Sequence, residues 1–129
     1  MPVFLNPPTL QKPASRFSQA VLVGPASKRL IISGQVGAKA DGTVIDGLAE
    51  QTDLVFDNIE AVLKAADMEI RDLVKLVIYC AAPGGAAVVR EIRNKRLGIH
   101  APASTFLQVA GLANPKYLVE IDGEAVREA

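Results

Sequence analysis

The stretch Asp46–Ala66, DGLAEQTDLVFDNIEAVLKAA, decides the fold. Leu48, Thr52, Val55, Phe56, Ile59, Val62, Leu63 and Ala66 follow one another at steps of four, three, one, three, three, one and three. These steps draw one stripe along an α-helix, and Glu50, Asp53, Asp57, Glu60 and Lys64 fall mostly on the other side. Such a helix needs an apolar surface to cover. Leu73–Ala81, LVKLVIYCA, supplies one: its length and β-branched content predict a strand buried on both faces. Pro83-Gly84-Gly85 ends that strand.

A second helix is predicted over Ala86–Leu97, with Gly98 as its C-cap. Val88, Val89, Ile92 and Arg96 are expected to face inward, and Arg90, Glu91, Arg93 and Lys95 outward. Thr105–Leu112 and Lys116–Val126 read as two strands joined by Ala113-Asn114-Pro115 in a hairpin. Towards the N-terminus, Ser18–Val23 and Arg29–Ser33 read as strands separated by Gly24-Pro25. Leu5–Lys12, with Pro7 and Pro8, is expected to be an irregular lead-in. Gly34-Gln35-Val36-Gly37 and Asp41-Gly42 are read as turns.

The order is β-β-α-β-α-β-β, an α+β domain with a mixed sheet, spanning 1–129 as one unit. Two helices cover only one face of such a sheet. Yet Thr105–Leu112 carries Leu107 and Val109 on one side and Phe106, Ala110 and Leu112 on the other. The uncovered face calls for a partner, and another copy of the chain is the simplest one.

Composition narrows the function classes. Half the residues are apolar, and fourteen Lys plus Arg balance fourteen Asp plus Glu. That balance argues against holding nucleic acid by phosphate neutralisation. The longest apolar run, Leu76–Ala82, is far too short for a membrane span. Met1–Pro13 is proline-rich and lacks a basic segment leading into an apolar one, so no targeting peptide is read and a cytoplasmic location is expected. One cysteine, Cys80, and one histidine, His100, exclude an intrachain disulfide and a Cys/His zinc cluster. No nucleotide-binding, metalloprotease or serine-hydrolase motif is present.

Glu120 and Asp122 lie two apart, so on a strand they share a face with Leu118. Carboxylates on a face that seeks burial are costly unless paired or set in a polar cavity, which makes them acid/base candidates. An ordinary solvated edge strand is the alternative. His100 reads as a loop or helix-end histidine and Cys80 as an inert core thiol. Arg90, Arg93, Lys95 and Arg96 read as a solvated helix face, interrupted by Glu91.

Several segments together resemble the Rid family of reactive-intermediate deaminases, the YjgF-type proteins once labelled ribonucleases. They are Phe17-Ser18-Gln19-Ala20, Ile32-Ser33-Gly34-Gln35, Gln51-Thr52 with Phe56, Asn58, Ile59, Leu63, Ala65 and Ala66, Asp72-Leu73-Val74-Lys75, His100-Ala101-Pro102-Ala103 and Val119-Glu120-Ile121. The likeness spans roughly residues 14 to 126. It implies a chorismate-mutase-like fold, a homotrimer whose sheets close a central barrel, and small-molecule pockets between subunits. It also implies hydrolysis of imines and enamines such as 2-aminoacrylate, without metal or organic cofactor.

Carried over by residue, the resemblance makes Glu120 the group that handles water or a proton, and Ser33 and Gly34 part of the pocket lining. Phe17 stands where the family usually has tyrosine. Ser104 stands where the archetypal Pro-Ala-Arg-Ser pattern has an arginine that clamps the substrate carboxylate. The following positions are Thr105 and Phe106, the latter bulkier than the family's usual Cys or Thr. Arg16, in an extended segment, points away from Phe17 and is not expected to replace that arginine.

The reading is a divergent branch: a hydrolase using Glu120, with Phe17, Ser33, Gly34, Ser104, Thr105 and Phe106 binding the substrate and weak or absent 2-aminoacrylate activity. The alternatives are a non-catalytic metabolite binder on the same fold and, last, an RNA-directed activity.

Overall fold

The computed structural model describes residues 2–13 and 16–128. Its helices are α1 (Leu48–Ala65) and α2 (Ala86–Leu97), and its strands are β1 (Val3–Leu5), β2 (Ala20–Leu22), β3 (Ala26–Val36), β4 (Leu73–Cys80), β5 (Ala103–Gln108) and β6 (Val119–Glu128). The main sheet runs β3-β6-β4-β5, and β1 pairs with β2 in a separate two-stranded piece. β4 and β5 are parallel, whereas β6 is antiparallel to both β3 and β4. This is the expected α+β domain with a mixed sheet.

Both helices lie on one face. The periodic stripe of α1 becomes the buried set Val55, Phe56, Ile59 and Leu63. It packs with Val89 and Leu97 of α2 against Ile32, Leu76, Ile78, Cys80, Val119, Ile121 and Ala125 of the sheet. The strict alternation of β6, with Val119, Ile121, Gly123 and Ala125 inward, suits a central strand. Gly123 is needed there, because a Cβ would meet the Lys75 carbonyl oxygen at 2.6 Å.

Several expectations need correction. Residues 105–112 and 116–126 do not form a hairpin: β5 pairs in parallel with β4, and β6 inserts between β3 and β4. The intervening chain steps past the end of β4, where Val109 N donates to Cys80 O and Ala81 N donates to Leu118 O, both at 2.9 Å. The apolar side of β6 needs helix cover, which the central position supplies better than the edge. Gly34 and Gln35 are not in a turn; they belong to β3, at an irregularity between Ile32 and Gln35. Val3–Leu5 forms a strand that the sequence reading missed, paired with β2.

The helix α2 faces also differ from expectation. Val88 is exposed, while Arg93 is buried beside Val89 and Leu97. Arg96 is turned towards α1. Its guanidinium contacts Asp53 Oδ1 at 2.7 Å, Asp57 Oδ1 at 2.8 Å and Glu60 Oε2 at 2.9 Å, and it lies 5.9 Å from the Phe56 ring centroid. The acidic face of α1 thus becomes the docking edge for α2. Replacing Arg96 with methionine is expected to cost about 1–2 kcal/mol, because several partly exposed contacts are lost together. Urea unfolding at low and high salt checks this: the loss should shrink as salt screens the wild-type network.

The second sheet face is left open by this chain's helices. Ile31 and Leu107 on that face are 64% and 44% exposed. No helix among the described residues is long and apolar enough to cross a membrane.

Candidate functional site

Strand register carries Glu120 onto the open face. On β6 it lies opposite Val36 of β3 and Tyr79 of β4. The charged and phenolic side chains around it on that face are engaged. Tyr79 Oη donates to Asp122 Oδ2 at 2.9 Å, and this bond, with the charges of Asp122 and Glu120, raises the phenol's pKa. Arg29 pairs with Glu124 at 2.6 Å, and Lys75 Nζ donates to Thr105 Oγ1 at 2.8 Å. The half-buried Glu120 carboxylate, by contrast, has no hydrogen-bond or ion-pair partner among the described residues.

Its seat is Gly34. A Cβ at residue 34 would stand 1.9 Å from Glu120 Oε2 and 2.8 Å from Cδ. The missing side chain is therefore the space the carboxylate occupies. Ser33, exposed on the same strand, offers its carbonyl to Gln35 Nε2 at 3.1 Å. Glu120, Gly34 and Ser33 thus form one group at the β3 side of the sheet.

Phe17, Ser104, Thr105 and Phe106 form a second group at the opposite edge. Ser18 bridges to Ala103 in parallel, and its backbone N–H donates to Pro102 O at 3.0 Å, which sets Phe17 alongside the start of β5. The β4–β5 register pairs Leu76 with Ser104 and Ile78 with Phe106, so both look to the helix side, and Phe106 packs against the core. Thr105 looks to the open face, opposite Val77. Two strands separate Gly34 from Ser104, roughly 14 Å at ordinary strand spacing. One chain alone does not bring the two groups together.

The remaining candidates are structural. His100 Nε2 lies 2.7 Å from Leu73 O, and its ring meets Phe4 edge-on at 5.3 Å. Burial pushes the Cys80 thiol's pKa up, leaving an inert core sulfur. Among the described residues no three His, Cys, Asp or Glu side chains are grouped to hold a metal. The residue missed from sequence is Arg93, whose Nη1 donates to Ser104 Oγ at 3.3 Å. The signal was its spacing, four from Val89 and four from Leu97 on the sheet-facing stripe.

A mixed four-stranded sheet with two helices on one face, and a carboxylate over a glycine on the other, defines an α+β protein whose candidate small-molecule site lies at its sheet edges. The sequence matches the profile of the Endoribonuclease L-PSP family over residues 9–127, and the chain belongs to that family, the Rid or YjgF-type proteins. A RutC family protein of Pyrococcus abyssi is 31% identical over 120 residues, covering 91% of each chain. The human 2-iminobutanoate/2-iminopropanoate deaminase is 31% identical over 113 residues, covering 86% of this chain and 80% of its own. The crystal structure of YyfB from Yersinia pestis, described as a Rid protein of unknown function, superposes with a TM-score of 0.86 at 31% identity, covering 97% of this chain and 98% of that one.

Proposed function

We propose that the chain hydrolyses a reactive imine, enamine or related small electrophile, with Glu120 as the group that activates water. The observation that carries this reading is the Glu120 carboxylate, seated over Gly34 and without a polar partner among the described residues while Asp122 and Glu124 are engaged. Asp122 and Glu124 on the same face are taken up by Tyr79 and Arg29, which leaves Glu120 as the carboxylate whose oxygens stay open to water. In the proposed step Glu120 accepts a proton from water as the water oxygen bonds to the C=N carbon. As the C=N π bond opens, that proton passes to the nitrogen, giving a carbinolamine. Glu120 then takes the remaining hydroxyl proton and delivers it to the same nitrogen as the C–N bond breaks, leaving a carbonyl product and ammonia. A related human protein named as an imine deaminase supports the reaction class.

The pocket is proposed to lie between subunits of a homotrimer whose sheets close a central barrel. The separation of Glu120, Gly34 and Ser33 from Phe17, Ser104, Thr105 and Phe106 supports it, since a neighbour's β5 edge would bring the second group to the first. The trimer would also cover Ile31 and Leu107. An RNA-directed activity is disfavoured, because the basic face expected on α2 is dismantled: Arg93 is buried and Arg96 is held by α1 carboxylates.

Turnover of 2-aminoacrylate is expected to be weak, because Ser104 offers one neutral hydroxyl where an arginine would grip a carboxylate in two places. The test is the initial rate of keto-acid release from enzymatically generated 2-aminoacrylate. Ser104→Arg is best combined with Arg93→Met, which removes a like charge from its path. The double variant should gain about tenfold or more over wild type, the difference between a charged and a neutral hydrogen bond. A wild type as fast as the double variant would sink this reading of residue 104.

A further inference from the structure

Strand pairing sets Tyr79 of β4 directly opposite Glu120 of β6, and Asp122, two residues on, opposite Val77. Directly opposed side chains stand roughly 5 Å apart at Cβ, and diagonal neighbours roughly 7–8 Å. The phenol nevertheless bypasses the carboxylate it faces: its Oη donates to Asp122 Oδ2 at 2.9 Å. A tyrosine hydroxyl carries one proton, so this bond takes the only hydrogen Tyr79 can give.

Among the described residues no cation pairs with either carboxylate. β5 sets Leu107 beside Tyr79 and β3 sets Val36 beside Glu120, while Lys75 is bonded to Thr105 and Arg29 to Glu124. Half-buried Tyr79 therefore stands between two half-buried carboxylates with one proton to give. The bond to Asp122 foremost, then burial and the charges of Asp122 and Glu120, push its pKa up. Which carboxylate receives the proton matters to the site. A carboxylate that accepts a hydroxyl's hydrogen bond is a weaker base, because the bond favours its charged form.

We propose that Tyr79 and Asp122 are a positioning pair, in which Asp122 holds the phenol's proton and so keeps the Glu120 carboxylate free to take a proton from water. This rests on the function proposed above in taking Glu120 as the base. Both residues act through Glu120, which remains the catalytic one. Without Asp122 the phenol turns to the carboxylate it faces, and the base is occupied by a neighbour instead of water.

The first test needs no substrate. Tyrosinate absorbance is followed on alkaline titration of the full chain, and a Tyr79→Phe protein subtracts the signal of Tyr117. Wild type and Glu120→Gln should both ionise Tyr79 later than an ordinary tyrosine. Asp122→Ala should do so too, because Glu120 now takes the proton. Only Asp122→Ala combined with Glu120→Gln should return Tyr79 to about pH 10. A return to that value in Asp122→Ala alone, or in Glu120→Gln alone, overturns the proposal. The second test reads initial rates with enzymatically generated 2-aminoacrylate. Asp122→Ala should lose about tenfold, the effect of a hydrogen bond to a charged group. Asp122→Asn, whose amide oxygen still accepts from the phenol, should recover most of that loss. Adding Tyr79→Phe to Asp122→Ala should recover it as well, whereas a merely structural pair would be damaged further by the second change. A double variant slower than Asp122→Ala overturns the proposal. Hydrolysis that persists in Glu120→Gln overturns the catalytic reading of Glu120, and the titration then still reports which carboxylate holds the phenol's proton.

Discussion

Gly34→Ala is expected to lower hydrolysis by about a hundredfold or more, the scale of general acid–base catalysis, while leaving the chain folded. The added methyl would lie 1.9 Å from Glu120 Oε2, 2.8 Å from Cδ and 3.0 Å from Cγ, so the two side chains cannot keep their places. What yields is the far end of a flexible side chain rather than backbone. Gly34 is also absent from the residues with positive φ, so alanine introduces no backbone strain. The carboxylate therefore swings aside at little cost to stability, and the water it would activate is lost. Glu120→Gln should lose a similar factor, and the double variant should be no worse than either single one, because both remove the same function. Steady-state rates and thermal melts on the four proteins check this. A Gly34→Ala protein that keeps its melting temperature and its rate would show that Glu120's seat is irrelevant to the chemistry.

Gln51→Leu is expected to be the most damaging single change to stability. Gln51 sits in the first turn of α1 at 1% exposure. Its Nε2 donates to Ile45 O and to Lys116 O, and its Oε1 accepts from Leu118 N, each at 2.9 Å. One amide therefore ties the chain entering α1 to the chain entering β6, which are far apart in sequence. Leucine matches the size but strands two carbonyls and an N–H inside the protein. At about 1–3 kcal/mol for each buried unsatisfied group, partly relieved by relaxation, the loss is on the order of 3–5 kcal/mol. That is a large share of a domain's usual stability and corresponds to a melting temperature lower by about 10 °C or more. Gly37 belongs to the same arrangement: a Cβ there would meet Gln51 Cγ at 2.4 Å. Thermal unfolding at fixed protein concentration measures the effect, and a fall of only a degree or two would mean that water satisfies these groups instead.

Both residues show how unevenly the sequence can be read. Gln51 falls within the predicted helix, but nothing in its own neighbourhood says that its amide is buried and spoken for. Its partners at Lys116 and Leu118 arrive only when β6 inserts into the sheet. Gly34 looked like a turn glycine because glycine is common in turns, and its real role, leaving room for a side chain from β6, depends on a pairing that no local pattern records. Charged residues usually lie on the outer face of a helix, and residue type alone places Arg93 there. Its helical phase with Val89 and Leu97 pointed inward, and phase was the better guide.

By itself the sequence determined the two helices, the buried β4 run, the α+β class, the family resemblance and the candidacy of Glu120. Each rests on periodicity, on short motifs or on residue type, which are properties of neighbouring positions. The tertiary structure decided that β6 lies between β3 and β4, that Glu120 rests over Gly34, that Arg93 reaches Ser104, and that the two halves of the site stand at opposite edges of one sheet. Those facts follow from long-range strand pairing and from which side chains fit together in the same volume. Chain-local patterns of apolar and polar residues do not encode either one.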